Sequence, residues 1–465
     1  MKSILTVRNP YDGAEVRTVP LLSDDELDQV IAVSQLAFEN VRRIPAYKRA
    51  ALLRGLADAV SADADRFANA IMREAGKPIS QAQIEVQRAA GTLSGSADEA
   101  IRIAGETIPL DTAPPGTGRF GITRRFPKGP VAAISPFNFP LNLGMHKVGP
   151  ALAAGCSVLW KPPLQAPGAA LLFAELFSRL AGEQGFDEHA LQVVVCEDQV
   201  AEKLVTDERV RVLSFTGSGR VGWDLRSKAG SKAVTLELGG NAAVIVGADA
   251  DLDFAAKRSV EGGFAYAGQV CIAVQRVLVP RPVMEEFSEL LVTWIDTLVV
   301  GDPAIDSTQV GPMISVKEVD RVESWIREAA ESGATVIAGG VRRGQFISPT
   351  LVGNVDSTMK IVAEEVFGPV LTLQPYSDWS DALAMANDSQ YGLQAGIFTS
   401  DLGRILDAFE TLETGAVVVG DIPTVRFDAM PYGGVKRSGF GREGMRYAME
   451  DMMDERLLIL PPSSG

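Results

Sequence analysis

Histidine is nearly absent from this chain. His146 and His189 are the only two in 465 residues, so a metal centre built on several imidazoles is excluded and no metal is expected. Any Cys–His nucleophile pair would have to use one of these two. Cysteine is equally scarce. Cys156, Cys196 and Cys271 are too few to staple so long a chain, and no disulfide framework is expected. No apolar run reaches the roughly eighteen residues that a bilayer-spanning helix needs, and the segment Met1–Pro10 has no apolar signal-peptide core. Positive charge is in deficit, with 44 Lys and Arg against 59 Asp and Glu and a net charge of −15. That balance weighs against nucleic acid, whose phosphates call for a basic surface, and against an anionic membrane surface. The absences together lead to the expectation of a reduced, soluble, cytoplasmic protein that acts on a small molecule.

What is present is an ordinary globular mixture, 46% hydrophobic and 22% charged, in a chain long enough for two or three domains. From Asp24 to Ala90 the pattern is helical, opened by the acidic turn Asp24-Asp25-Glu26 and punctuated by Pro45 and Gly76-Lys77-Pro78. Beyond a turn-rich loop at Thr112–Gly118, Arg119–Phe126 alternates as a strand does. Short apolar strands then alternate with helical stretches. Val131–Ile134, Ser157–Trp160, Leu191–Val195 and Val212–Phe215 read as buried parallel strands, with helices at Gly149–Gly155 and Ala169–Leu180. This βα alternation predicts a doubly wound α/β sheet. A second α/β unit is expected from about Gly240 to Gly434, with strands at Val277–Val279, Thr335–Ile337, Val370–Leu373 and Ala416–Val419. Leu457–Leu460 reads as a terminal apolar strand that invites pairing with another subunit.

Two features carry chemistry. Cys271 ends the small-residue stretch Tyr266-Ala-Gly-Gln-Val-Cys271, and Val234-Thr-Leu-Glu237-Leu-Gly-Gly240 is an apolar strand that ends on a carboxylate. A thiol that attacks carbon beside a carboxylate that activates water suggests covalent catalysis followed by hydrolysis. Gly217-Ser-Gly219-Arg-Val-Gly222 follows a strand and opens a helical stretch, which suits a pyrophosphate against a helix N-terminus; a tight strand–helix turn explains it equally. The dinucleotide rule looks about twenty residues on for an acid that holds the ribose. Glu237 stands there, so ribose ligand and general base compete for one residue, and spacing alone leaves both open.

Taken in order, Pro136-Phe-Asn138-Phe-Pro140, Trp160-Lys161-Pro162, Phe215-Thr-Gly-Ser218, Glu237-Leu-Gly-Gly240, Gly268-Gln-Val-Cys271, Glu364-Glu365-Val-Phe367-Gly-Pro369 and Pro431-Tyr-Gly-Gly-Val-Lys436 resemble the motifs of the aldehyde dehydrogenase superfamily across nearly the whole chain. The resemblance implies a Rossmann-like cofactor domain (1–107 and 126–239), an α/β catalytic domain (240–437) and a small β oligomerisation flap (108–125 and 446–465). It also implies roles. Cys271 is the nucleophile, and the Asn138 amide with the Cys271 N–H holds the thiohemiacetal oxyanion. Hydride loss to the nicotinamide leaves a thioester, and Glu237 activates the water that hydrolyses it. Lys147 and Glu443 relay protons. The cofactor is held by Lys161 and Glu365 at the two riboses and by Phe367 at the nicotinamide end. Pro136, Phe137, Gly217, Ser218, Gly222, Leu238 and Gly239 line the same groove. CoA-acylating members generally lack the carboxylate at Glu237, so its presence favours hydrolysis over acylation of CoA; a non-catalytic protein on this fold is the other alternative.

Departures from the pattern carry the finer expectations. NAD-preferring relatives often place Glu three residues after the lysine, where this chain has Leu164, so NADP is expected to be accepted alongside NAD. His146, Ala265 and Arg426 stand where simple-aldehyde enzymes often carry other residues. With Phe139 they predict a polar, cationic pocket for a short hydroxylated or anionic aldehyde such as lactaldehyde, glyceraldehyde 3-phosphate or a semialdehyde. Ser94, where some anion-handling relatives appear with Arg, weighs against a phosphonate. A homodimer or homotetramer is expected.

Overall fold

The computed structural model describes residues 3–461. The outer ends of the expected first domain and of the flap, residues 1–2 and 462–465, lie outside it. Four helices, Asp24–Val41, Ala46–Ala62, Ala64–Ala75 and Ile79–Arg102, follow a short antiparallel hairpin. Ser23 and Glu26 close a reciprocal capping box at the first. Gly76, at φ 66°, ends the third in the left-handed conformation. The helical region runs past Ala90 to Arg102 because the buried stripe of Ala89, Leu93, Ala97 and Ala100 keeps helical spacing. The glycines within it do not break it, and Gly95 makes room for Met445, whose Cε lies 2.2 Å from where a Cβ would stand.

The first sheet has six strands in the order Gly439–Phe440, Ala233–Glu237, Val212–Thr216, Val131–Ile134, Val158–Lys161 and Leu191–Val193. All but the first run parallel. The earliest of the parallel strands, Val131–Ile134, lies centrally. The chain builds outward on one side and then crosses to the other, which is Rossmann order with a crevice at the carboxyl ends beside the switch point. Val131–Ile134 and Val158–Lys161 are buried at every residue, as two-sided coverage by helices requires. The helix expected from Gly149 begins at Asn142 and carries Pro150 inside it. Every residue of that helix is buried, so it has no polar face to mark its start.

The second sheet has seven strands in the order Thr335–Ala338, Thr350–Gly353, Val370–Tyr376, Val274–Pro280, Ala242–Val246, Gln394–Phe398 and Ala416–Val419. Its first pair is antiparallel and the rest are parallel. Thr107–Pro109, Phe120–Pro127 and Met453–Leu460 make a third, three-stranded sheet, with Leu457–Leu460 paired along Phe120–Thr123. No helix among the described residues is long and apolar enough to cross a membrane.

One link positions the site. Glu237 ends the strand Ala233–Glu237, and two glycines later the chain enters Ala242–Val246 of the other sheet. The carboxyl edge of the first sheet therefore faces the amino ends of Ala242–Val246 and its parallel neighbour Val274–Pro280, and the segment before Val274 carries Cys271.

Candidate active site

Cys271 follows a run of left-handed backbone: Tyr266 at φ 49°, Ala267 at φ 53° and Gly268 at φ 70°. Two of these are not glycine, and such strain persists only where the surroundings hold it. Gly268 permits a close approach, since a Cβ there would stand 2.2 Å from the Gly368 carbonyl oxygen. Gly240 is required in the same way, because its Cβ would stand 2.2 Å from the Cys271 carbonyl oxygen. The glycines of the Glu237 motif thus bring the carboxylate strand against the thiol loop. The Cys271 Sγ lies 3.2 Å from the Tyr432 hydroxyl, and its thiol is pushed up to about 11, chiefly by burial. Tyr432 and Arg426 oppose that rise, while Glu365 and Glu237 add to it.

Glu237 is buried, and neither carboxylate oxygen has a hydrogen-bond partner. Burial and the neighbouring Glu443 hold its carboxyl well above the usual range against the pull of Arg426, Lys147 and Arg442. Glu443 behaves oppositely. Burial disfavours its charge, but Lys147, His146 and Arg426 outweigh burial and bring it down to about 2. Lys147 Nζ donates to Glu443 Oε1 at 2.5 Å and to Thr216 Oγ1 at 2.7 Å. Arg426 Nη2 reaches Glu443 Oε2 at 3.3 Å, and its guanidinium lies 3.6 Å from the centre of the Tyr432 ring. Two carboxylates share one buried cluster, Glu443 paired and shifted down, Glu237 unpaired and shifted up, so environment pushes their acid–base properties apart.

Arg426 is only 6% exposed, so it belongs to the interior of this cluster rather than to an open mouth, and its Nε has no partner. His146 is buried as well. Its Nε2 lies 2.9 Å from Asp428 Oδ1, and its Nδ1 has no partner. Arg88 clamps Asp428 at 2.7 and 3.1 Å. Asn138 donates from Nδ2 to the Gln269 carbonyl oxygen at 2.9 Å, which ties it to the Cys271 loop and leaves the second N–H of that amide free to point elsewhere. Phe137, Phe139, Tyr266, Tyr432 and Cys271 share one apolar cluster.

The residues expected to hold the cofactor gather along the carboxyl edge of the first sheet and the loop opposite. Lys161 ends its strand beside Ile134, and Thr216 pairs with Glu237. Ser218 is the N-cap of the helix Gly219–Lys228 and makes no side-chain capping bond. Two of the loop glycines serve packing: a Cβ on Gly217 would meet the Phe215 ring at 2.6 Å, and one on Gly222 would meet Leu238 at 2.3 Å. Across the crevice Glu365 accepts from Gly240 N–H at 2.9 Å, and burial raises its carboxyl to about 7. A Cβ on Gly239 would stand 2.3 Å from that carboxylate. Phe367, at φ 45°, packs edge-on against Phe137 at 6.0 Å, close to Pro136 in the chain. Leu164 lies in an apolar cluster with Leu21 and Val195. Lys161 Nζ instead meets a carboxylate from another element, Asp198, at 3.0 Å. A lysine, free helix N–H groups and a buried carboxylate along one groove fit a dinucleotide.

A sequence profile described as the aldehyde dehydrogenase family matches residues 2–457. The chain belongs to the aldehyde dehydrogenase family. Among its relatives, a 3-sulfolactaldehyde dehydrogenase of Priestia megaterium is 42% identical over 457 residues, covering 98% of this chain and 94% of that protein. Aldehyde dehydrogenase 21 of Physcomitrella patens, solved with the reaction product succinate, superposes with a TM-score of 0.96 at 39% identity, covering 100% of this chain and 96% of that one. The NADP complex of a glyceraldehyde-3-phosphate dehydrogenase from Methanocaldococcus jannaschii superposes at 0.95 with 36% identity and 99% coverage of both chains. This aldehyde dehydrogenase is an NAD(P)-dependent oxidoreductase. The sequence reading did not single out Arg88, Asp428 or Tyr432. Tyr432 was legible, because it sits inside the quoted Pro431–Lys436 motif, but Arg88 and Asp428 meet across most of the chain and carry no local signal.

Proposed function

We propose that this aldehyde dehydrogenase oxidises a short, polar or anionic aldehyde to its carboxylic acid through a covalent intermediate on Cys271. The observation that carries the reading is the unpartnered, buried Glu237 carboxyl in one cluster with a thiol. An acceptor left without a partner in the interior is costly, and a hydrolytic water would satisfy it. Once its proton has passed through water to the Glu237 carboxylate, Cys271 Sγ adds to the aldehyde carbon, and the resulting oxyanion is received by the Cys271 N–H and the free N–H of Asn138. A nicotinamide held in the groove by Lys161 and Glu365 would supply the hydride acceptor, and the sulfur would be left as a thioester. Glu237 takes a proton from water, the hydroxide attacks the acyl carbon, and the thiolate leaves. Lys147 bridges Glu443 and Thr216 in the same cluster, and a water beside Glu237 would link its carboxyl to this pair for proton transfer. Retention of Glu237 favours hydrolysis over the CoA-acylating alternative.

The substrate reading rests on Arg426 and His146, whose Nε and Nδ1 are buried without partners. The free Arg426 N–H is a donor for an anionic or hydroxylated group, and His146 Nδ1, the acceptor of a neutral ring whose Nε2–H faces Asp428, suits a hydroxyl. The relatives support this class: one is named for a sulfonated lactaldehyde and another was solved with a dicarboxylate product. Along the cofactor groove, Lys161 serves the adenosine ribose, the helix opened by Ser218 the pyrophosphate, and Glu365 the second ribose. Leu164 would place no carboxylate at the first ribose, but Asp198, at the start of the helix Asp198–Thr206, would do so beside Lys161. Either NAD or NADP therefore serves, with Asp198 setting the balance between them. The cofactor domain, catalytic domain and flap follow the three sheets, and the flap joins subunits of a soluble, cytoplasmic dimer or tetramer. A panel of short aldehydes bearing hydroxyl, carboxylate, sulfonate, phosphate or no substituent, each assayed with NAD and NADP in wild type and Asp198→Asn, tests the reading. Anionic or hydroxylated aldehydes should turn over best, and Asp198→Asn should raise relative use of NADP. Equal preference for an unsubstituted aliphatic aldehyde would overturn the substrate class.

A further inference from the structure

The catalytic centre leaves one buried charge pair unused. Lys77 and Glu85 are 1% and 0% exposed, with Nζ 2.5 Å from Oε2. A buried ion pair is weak evidence of stability, because apolar residues of similar volume often serve as well or better. This pair touches the Asn138 loop, the loop that leads to Cys271 and the start of the Lys147 helix. The Lys77 ammonium lies 3.5 Å from the centre of the Phe139 ring, next in sequence to Asn138, and 4.9 Å from that of Tyr266. Tyr266 opens the left-handed turn that leads to Cys271, and its hydroxyl donates to the Ala75 carbonyl oxygen at 2.5 Å. Glu85 Oε1 accepts from the N–H groups of Leu141 and Asn142 at 2.9 and 3.2 Å. Those groups open the helix Asn142–Ala154, whose N-cap makes no side-chain bond of its own. Glu85 caps it from outside and favours the positive end of its dipole. That helix carries His146 and Lys147.

We infer that Lys77 and Glu85 are positioning residues that hold the Asn138 loop, the Cys271 loop and the Lys147 helix in register for covalent catalysis. Lys77 fixes the faces of Phe139 and Tyr266 from one side by cation–π contact, which strengthens where water is excluded. Its ammonium is held by the same Glu85 that fixes the start of the Lys147 helix. The inference rests on the reading of Cys271 as nucleophile and Asn138 as oxyanion donor, since orientation of those two groups is what the pair would control.

Lys77→Met with Glu85→Gln removes both charges together and keeps bulk and an oxygen for Leu141 and Asn142. With holoenzyme, the double variant should retain thermal stability and cofactor affinity close to wild type. Its kcat should fall about a hundredfold with little change in KM, as misplacement of catalytic groups by an ångström does, and iodoacetamide should alkylate its Cys271 at an altered rate. Glu85→Asp, which keeps the charge on Lys77 paired but shortens the reach to Leu141 and Asn142, serves as a second folded variant if the double one is unstable, with a kcat loss in the same direction. A folded variant with kcat within about threefold of wild type and unchanged alkylation overturns the positioning role. Cys271→Ala separates the two claims: full activity in that variant would defeat the nucleophile reading itself, whereas an inactive Cys271→Ala beside a fully active charge-pair variant defeats only the positioning role.

Discussion

At the scale of single residues, the centre is built from groups moved away from their ordinary ionisation. Cys271 is raised to about 11 by burial, and Glu237 is raised by burial and by Glu443. Both act deprotonated in the proposed reaction, so the sign is fixed: kcat/KM for the free enzyme should rise with pH through neutral into the alkaline range. Glu443, brought down to about 2 against its burial by Lys147, His146 and Arg426, stays charged throughout and adds no limb of its own. A pH–rate profile that falls between about pH 7 and 9 would contradict this assignment. Cys271 and Glu237 were legible in the sequence because each closes a local pattern, a small-residue turn and a strand-end carboxylate. Their cluster was only partly legible. Arg426 was legible only as a cation expected at the substrate mouth; its stacking on Tyr432 and its ion pair with Glu443 are set by tertiary packing. The Lys77–Glu85 pair was missed because burial, which turns two ordinary charges into a device, has no local signature.

At the scale of elements, glycines decide how closely the two sheets meet. Gly240 approaches the Cys271 carbonyl so closely that a Cβ would stand at 2.2 Å. Gly240→Ala is expected to displace the thiol loop, lowering kcat by about tenfold or more while costing about 1–3 kcal/mol of stability, the usual range for overpacking. Steady-state kinetics beside thermal unfolding checks this; an alanine variant with wild-type kcat would show that the loop moves without consequence. Alternation of short apolar strands with helices gave the Rossmann-like sheet, whose strands matched to within a residue or two. It did not give the start of the helix at Asn142, where every face is buried and no polar boundary exists. The glycine-rich loop was read as a phosphate cradle or a tight turn, and both have support: Gly217 and Gly222 pack on Phe215 and Leu238, while Ser218 leaves the helix N-terminus uncapped by side chains.

At the scale of the whole molecule, two mostly parallel sheets meet at their strand ends, and the residues proposed to react lie in the seam. The third sheet contributes none of them. Its terminal strand leaves Leu457, Leu458 and Ile459 about half exposed and one edge unpaired, the condition in which a strand recruits another chain. Leu457→Glu with Ile459→Glu should shift a dimer or tetramer toward monomer by light scattering with the fold retained; an unchanged mass would place the subunit contact elsewhere. The central claim is that Cys271 is acylated and that Glu237 releases the acyl group. It is tested most directly by intact-protein mass spectrometry of Glu237→Gln mixed with an oxidisable aldehyde and cofactor. The expected result is a burst of about one equivalent of NADH or NADPH per site, with the acyl mass accumulating on Cys271 and absent from the additional Cys271→Ala variant. Sustained turnover by Glu237→Gln, or an acyl mass that persists without Cys271, would contradict it.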